Sequence, residues 1–280
     1  GQRHCSQALS TEEPMTRFRV GLEPAEYLRE VDDRLLRYVR EVRDAAEVAI
    51  DTETTGLLTW REVPLFFSLA WQAPEGVVRR VCLPIRLISV FEESFRDPDK
   101  KWILANAKFD MHMLANIGVK IAGPWYDVQV MHALLYEDEK HGLKAMHQAI
   151  FGWSWPDFGK TFGVKKGKNA PATGTVLLEM ERTRPQVLAE YAANDAYGTL
   201  MLYYWLKDML QKQPTWSAYP ETYDTLWDIY YKTELPYTKV LWKCERRGML
   251  LDLEYLDNCR GPIQDQIEEL EREIIALRGK

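Results

Sequence analysis

The sequence predicts an α/β domain with a mixed central sheet flanked by helices, followed by a helical appendage. Three observations point there. Apolar runs of strand length come first and then interleave with helical patterns. One of those runs, Val48-Ala49-Ile50, leads into two carboxylates one residue apart, Asp51 and Glu53. Beyond Gln211-Lys212-Gln213-Pro214 the pattern reads as long helices.

Taken in order, residues 1–16 are polar, lack an apolar signal core and are expected to form a disordered tail. Residues 18–22 alternate enough for a short strand. Pro24 suits an early helical position, where its missing N–H costs little, and Leu28, Val31, Leu35, Tyr38, Val39 and Val42 give one apolar face through about Asp44. The strand ending in Asp51 and Glu53 follows, then Thr54-Thr55-Gly56 as a turn. Residues 64–71 and 77–84, joined by Ala73-Pro74-Glu75-Gly76, read as an antiparallel hairpin. Residues 87–95 read as helical and 101–106 as a buried strand that turns into a helix carrying Met111, Leu114 and Ile117. Ile121 begins a short strand, Asp127 starts a helix through Leu135, and Gly142 opens another through Phe151. Residues 152–175 are the least regular part. Arg184-Pro185 begins a long helix to about Leu210, and residues 219–247 and 253–277 read as helices parted by Gly248.

Composition narrows the function. The net charge of −6 offers no global basic field for nucleic acid, so any such binding must use local basic patches and metal-bridged phosphates. The four cysteines show no C-x-x-C spacing and the five histidines no zinc pattern, which fits reduced, incidental thiols and an intracellular protein. No apolar run is long enough to span a membrane.

Candidate chemistry sits at three places. Successive side chains of a strand alternate faces, so Asp51 and Glu53 point the same way. Two carboxylates that close repel, and a hard cation such as Mg²⁺ or Mn²⁺ would offset the repulsion and accept both as oxygen ligands. Asn106 and Asp110 bracket a strand-to-helix turn. Tyr191 and Asp195, four residues apart on a helix, share a face. Four carboxylates from separate elements suit two divalent ions about 4 Å apart, the arrangement used in phosphodiester cleavage. Two decoys read differently. Asp252-Leu253-Glu254 opens a helix, where Asp caps and Glu suits the first turn. Asp208, four residues after Tyr204 near a helix end, reads as solvated. Gly159-Lys160-Thr161 lacks the preceding glycine at the P-loop interval.

Asp51-Thr52-Glu53-Thr54, Asn106-Ala107-Lys108-Phe109-Asp110 and Tyr191-Ala192-Ala193-Asn194-Asp195-Ala196 resemble the three exonuclease motifs of the DEDD superfamily, in its Tyr-bearing branch. The likeness is to the 3′–5′ proofreading domain of family A DNA polymerases of bacterial, phage or organellar type. His141-Gly142-Leu143-Lys144-Ala145-Met146 resembles that family's connecting segment. The resemblance implies a ribonuclease H-like exonuclease fold over residues 17–212. It implies two divalent ions, Mg²⁺ or Mn²⁺, with Asp51 bridging both, Glu53 and Asp195 completing one site and Asp110 serving the other. Tyr191 would orient the attacking hydroxide. Leu57 would pack against the terminal base, and Thr54, Asn106 and Phe109 would lie near the substrate strand, Phe109 standing in for the more usual Tyr. Asn194 stands where many relatives carry an acid.

Lys160, Lys165, Lys166 and Lys168 are candidate contacts to a DNA backbone, as Lys–phosphate contacts are elsewhere. Trp153, Trp155 and Phe158 read as core or lid more readily than as base-stacking groups. Residues 213–280, with Glu234-Leu235-Pro236-Tyr237 and the run 244–252, resemble the start of a family A polymerase thumb. The expectation is therefore an exonuclease removing nucleotides from single-stranded or frayed DNA 3′ ends, partnered by a polymerase domain and acting at sites of replication. No polymerase activity is expected of these residues. The rival expectations are an RNA-processing exonuclease of the same superfamily and a catalytically silent scaffold or single-strand clamp.

Overall fold

A computed structural model describes residues 22–164, 167, 170–215 and 222–278. Its centre is a six-stranded mixed sheet in the order β1-β4-β3-β2-β5-β6. The strands are β1 (Glu26–Tyr27), β2 (Glu47–Thr54), β3 (Pro64–Gln72), β4 (Val78–Pro84), β5 (Lys101–Leu104) and β6 (Trp125–Asp127). β2 lies inside the sheet, antiparallel to β3 and parallel to β5, with Asp51 opposite Ser68.

Alternation along β2 assigns its residues to two different layers. Val48 and Ile50 enter one core with Trp71, Trp102 and Phe91, together with Leu35, Tyr38 and Val42 of helix α1 (Asp33–Asp44) and Met111 and Leu114 of helix α3 (Ala107–Asn116). Ala49 enters a second core on the opposite face. That core holds Ala196, Leu200, Tyr203 and Leu206 of the long helix α8 (Pro185–Lys212) and Met131 of α4 (Val128–Leu135). Period two then puts Asp51 and Glu53 on the α8 side and Thr52 on the α3 side.

Along its first half helix α8 buries the small residues Ala189, Ala192, Ala193 and Ala196, which let it lie close to the sheet. Ser68, the residue opposite Asp51, donates its hydroxyl to the Ala192 carbonyl at 2.9 Å, which locks the helix over the strand end. Pro185 opens α8 where its missing N–H is harmless.

The remaining elements are a 3₁₀ turn (Ile85–Phe91), α2 (Glu92–Arg96), α5 (Leu143–Phe151), the short α6 (Phe158–Phe162), α7 (Thr173–Thr183), α9 (Leu226–Ile229) and α10 (Leu235–Arg247). A π turn, Tyr230–Glu234, joins α9 to α10. The chain divides into two compact units, Gly1–Trp242 and Lys243–Lys280. The second holds the end of α10, a left-handed Gly248 and helix α11 (Leu253–Arg278), none of whose described side chains is buried. Among the described residues no helix is long and apolar enough to cross a membrane.

Several elements depart from the sequence reading, among them residues 87–95, read as helical, which fall across the 3₁₀ turn and α2. The first helix begins at Asp33, not near Pro24: Asp32 caps it through Leu35 N–H at 2.7 Å, and Glu26–Tyr27 instead pair in parallel with β4. β6 begins at Trp125 rather than Ile121, pairing Trp125 with Trp102. The short α6 (Phe158–Phe162) lies inside the stretch 152–175 read as irregular, and α7 begins at the end of that stretch, where Val176 and Leu177 as its only buried apolar side chains are too few to mark a period. The helix expected from residue 219 starts at Leu226, where the Asp228 carboxylate accepts from Thr225 N–H at 3.0 Å and its hydroxyl at 3.1 Å. Of the strand expected over 18–22, only Leu22 falls among the described residues, bridging to Val78.

Candidate metal centre

Asp51 and Glu53 from β2 and Asp195 from α8 bring carboxylate oxygens within 4.8 Å of one another. Glu53 is buried, and Asp51 and Asp195 are half-buried. Burial first, and then the charges of Asp110, Asp195 and Glu53, push Asp51 well above the usual carboxylate range. Burial and the Asp195 charge push Glu53 up to about 8. Asp195 is lifted by burial, against the pull of Lys144 and Trp155. Three acids in this space resist joint ionisation, and an all-oxygen donor set fits a hard divalent cation that would permit it.

Asp110 stands outside the trio. It arrives from the opposite layer on α3, and its Oδ1 accepts from the Thr52 N–H at 3.0 Å and the Thr52 hydroxyl at 2.6 Å. Burial raises it to about 7, and the two Thr52 hydrogen bonds work against the rise. Its charge is nonetheless the largest electrostatic influence on Asp51. Thr52 therefore links the two acidic residues flanking it to a third from across the sheet.

Tyr191 lies one turn before Asp195, packed edge-on against Phe158 and Phe162. Burial and then the charges of Glu53, Asp195 and Asp51 raise its phenol far above the ordinary value, so it keeps its proton and remains a donor. Asn106 is exposed and adopts the left-handed conformation, φ 64°, a region Asn tolerates better than most residues. Its N–H and that of Ala107 donate to the Asp127 carboxylate at 3.1 and 2.8 Å, which sets the strand-to-helix turn delivering Asp110. Asp127 also caps α4 through Gln129 N–H.

Thr54 is buried, its hydroxyl donating to Gly56 O at 2.7 Å, so it holds the turn after β2. Leu57, beyond that turn, is 83% exposed. Phe109 is half-buried on α3. Lys160 is exposed on α6, whereas Lys165, Lys166 and Lys168 lie outside the described residues. Asn194 accepts from the Arg80 guanidinium, which also pairs with Glu190 at 3.1 Å. The decoys behave as read: Asp208 pairs with Lys212 near the helix end, and Asp252 accepts from Tyr255 N–H at 2.9 Å at the start of α11.

Two further residues touch the centre. Lys144, in the first turn of α5, places its ammonium 3.7 Å from Asp195 Oδ1 and 4.8 Å from the Tyr191 ring centroid, and donates to Pro156 O at 3.1 Å. Trp155 donates its indole N–H to the same Asp195 oxygen. Its ring lies where a Cβ on Gly198 would sit, so only glycine there lets the indole reach. Neither role was legible from spacing. Lys144 stands in the run His141–Met146, which has no charge pattern of its own, and Trp155 is one of ten tryptophans.

Residues 30–211, more than half of the chain, match a family described as a 3′–5′ exonuclease, the type carried by family A DNA polymerases. The chain is 28% identical over 248 residues to DNA polymerase I of Chloroflexus aurantiacus, covering 86% of itself and 24% of that protein. It thus spans about a quarter of that relative's length. Among solved structures, the POL domain of Pol1 from M. smegmatis, in complex with DNA primer-template and dNTP, aligns with a TM-score of 0.59 at 15% identity, over 86% of this chain and 36% of that one. Escherichia coli RNase D aligns with a TM-score of 0.53 at 17% identity, over 80% and 51%. At such identities these likenesses concern the fold. With the carboxylate trio on β2 and α8 and the family match across the same elements, this chain belongs to the DEDD-superfamily 3′–5′ exonuclease family of the family A polymerase type.

Proposed function

We propose that the chain is a metal-dependent exonuclease that hydrolyses the 3′-terminal phosphodiester of a single-stranded nucleic acid and releases 5′-mononucleotides. The observation that carries this reading is the approach of the Asp51, Glu53 and Asp195 carboxylate oxygens to within 4.8 Å, with Glu53 buried and the other two half-buried. These three, with Asp110 serving a second position, would hold two divalent ions, which when bound supply the charge that activates water and stabilises the leaving oxygen. Tyr191, kept protonated by its surroundings, hydrogen-bonds and orients the water. Lys144 and Trp155 hold the Asp195 carboxylate in place from its outer side. The exposed Leu57 packs against the terminal base, and Lys160, Lys165, Lys166 and Lys168 offer charge to the backbone.

Two substrates compete. The kinship with DNA polymerase I supports DNA 3′ ends, with the chain as the proofreading part of a polymerase and residues 213–280 as the start of its thumb. The shared fold with E. coli RNase D, described as an exoribonuclease involved in structured RNA processing, supports trimming of RNA. Digestion of end-labelled DNA and RNA oligonucleotides of one sequence in Mg²⁺ or Mn²⁺ decides between them. Asp51→Ala and Asp195→Ala should abolish digestion of whichever strand is cut. Undiminished digestion by clean preparations of both variants would remove the assignment.

A further inference from the structure

The loop between β2 and β3 carries an exposed tryptophan on a backbone that is tied down. Trp60 is 77% exposed, and Leu57 and Leu58 beside it are 83% and 40% exposed. Surface tryptophans this open are uncommon, because an indole left in water forgoes most of its burial energy. A loose loop would make the exposure incidental, but this loop is closed at its base and braced from behind. Thr55 N–H donates to Val63 O at 3.0 Å, and Val63 N–H to the Thr55 hydroxyl at 3.1 Å. Arg61 and Glu62 N–H groups both donate to Leu58 O, at 3.0 and 2.9 Å. From α3, the Asn116 amide donates to Thr59 O at 2.9 Å and to Glu62 O at 2.7 Å. The tip is therefore held with its apolar side chains outward.

This tip continues the strand that presents Asp51 and Glu53. Trp60 lies seven positions after Glu53, which caps their distance at about 25 Å even for an extended chain. Next to Trp60, the Arg61 side chain is 74% exposed and pairs only loosely with Glu62, at 3.6 Å. A flat π face with a neighbouring guanidinium is the chemistry that takes a stacked base and its phosphate without reading sequence.

From this juxtaposition we propose that the β2–β3 loop is a second stacking platform. Trp60 stacks a base of the single strand upstream of its 3′ end, and Arg61 meets the adjoining phosphate. The platform extends the exonuclease reading and rests on it for the identity of the occupant. It implies a substrate longer than a dinucleotide, since the terminal nucleotides occupy the carboxylate recess.

The test is equilibrium binding to the full chain in EDTA, where no hydrolysis occurs, of fluorescein-labelled oligothymidylate twelve nucleotides long and of a labelled thymidine dinucleotide. Trp60→Ala should weaken the longer strand about tenfold, the range found for loss of one base–aromatic stack, and leave the dinucleotide unchanged. Trp60→Phe should restore most of the affinity, and Arg61→Ala should flatten the salt dependence of binding. Equal binding of the longer strand by Trp60→Ala and wild type overturns the platform, as does an equal loss for both lengths. A change in sedimentation with no change in strand binding also overturns it, in favour of a contact between copies. Wild-type digestion in Mn²⁺ is scored separately: digestion with unchanged Trp60→Ala binding defeats the platform alone, whereas a length-selective loss without digestion upholds the platform and defeats the nuclease reading.

Discussion

Replacing Glu53 with Gln should make the metal-free protein more stable at pH 9 and leave it nearly unchanged at pH 5. Burial and Asp195 lift Glu53 from its ordinary 4.5 to about 8. The folded value lies above the unfolded one, so the folded state holds the proton more tightly. The carboxyl then costs nothing below about pH 4.5, costs more as pH climbs to about 8, and costs a constant amount beyond. At about 1.4 kcal/mol per pH unit, the interval from 4.5 to 8 corresponds to about 5 kcal/mol. An independent route agrees in scale: two unit charges 4.8 Å apart repel by about 3.5 kcal/mol at an effective dielectric constant of about 20. Burying the Gln amide offsets about 1–2 kcal/mol, leaving a gain of about 2–4 kcal/mol at pH 9. For a chain of this size that is roughly 4–16 °C in Tm. At pH 5 the carboxyl costs less than about 1 kcal/mol, which the amide offset cancels.

The assay is thermal unfolding by circular dichroism in EDTA at both pH values, repeated with Mn²⁺. A hundredfold excess of ion over its Kd stabilises wild type by about 2.7 kcal/mol, and the variant should lose most of that. A Glu53→Gln protein that melts at or below wild type at pH 9 without metal would refute the claim that this carboxyl is repelled by its neighbours.

Three further outcomes follow from the same geometry. Thr52→Val removes the 2.6 Å hydroxyl bond to Asp110, and should cost about 1.5–3 kcal/mol of stability in urea titrations at neutral pH, with weaker Mn²⁺ binding by calorimetry. Lys144→Met removes the cation that holds down Asp51, Glu53 and Asp195. The acid limb of the pH–rate profile should therefore move upward, by roughly one pH unit, while Lys144→Arg stays near wild type. Gly198→Ala drives a Cβ into the Trp155 ring. The indole should leave Asp195, lowering the rate roughly tenfold or more and changing the near-ultraviolet circular dichroism, with the far-ultraviolet spectrum preserved.

Some of the fold and site was open to reading from short-range pattern. The hairpin of β3 and β4, the strand β5 and the helices α4, α5 and α8 occur where apolar periodicity and capping residues predict them. Asp127 was read as a helix start, and it is one, but its carboxylate also holds the Asn106 turn from another strand end. That second duty has no signature in the chain near residue 127. The early start given to the first helix came from the same limitation: Pro24 is compatible with a helix, and only pairing with Val81 and Cys82 of β4 makes Glu26–Tyr27 a strand.

Periodicity alone settles which groups share a face. A strand repeats every two residues and a helix about every 3.6, so Asp51 had to point with Glu53, and Tyr191 with Asp195. It could not determine which acids meet, because that depends on how layers pack. The alanine face of α8, clamped by Ser68, brings Asp195 to the trio. Asp110, arriving from the other side of the sheet, is caught by Thr52 instead. Lys144 and Trp155 reach the same carboxylate from segments with no periodic relation to it, Trp155 admitted by the missing side chain of Gly198. Local periodicity is written along the chain; close approach between layers is decided by the shapes that fill the space between them.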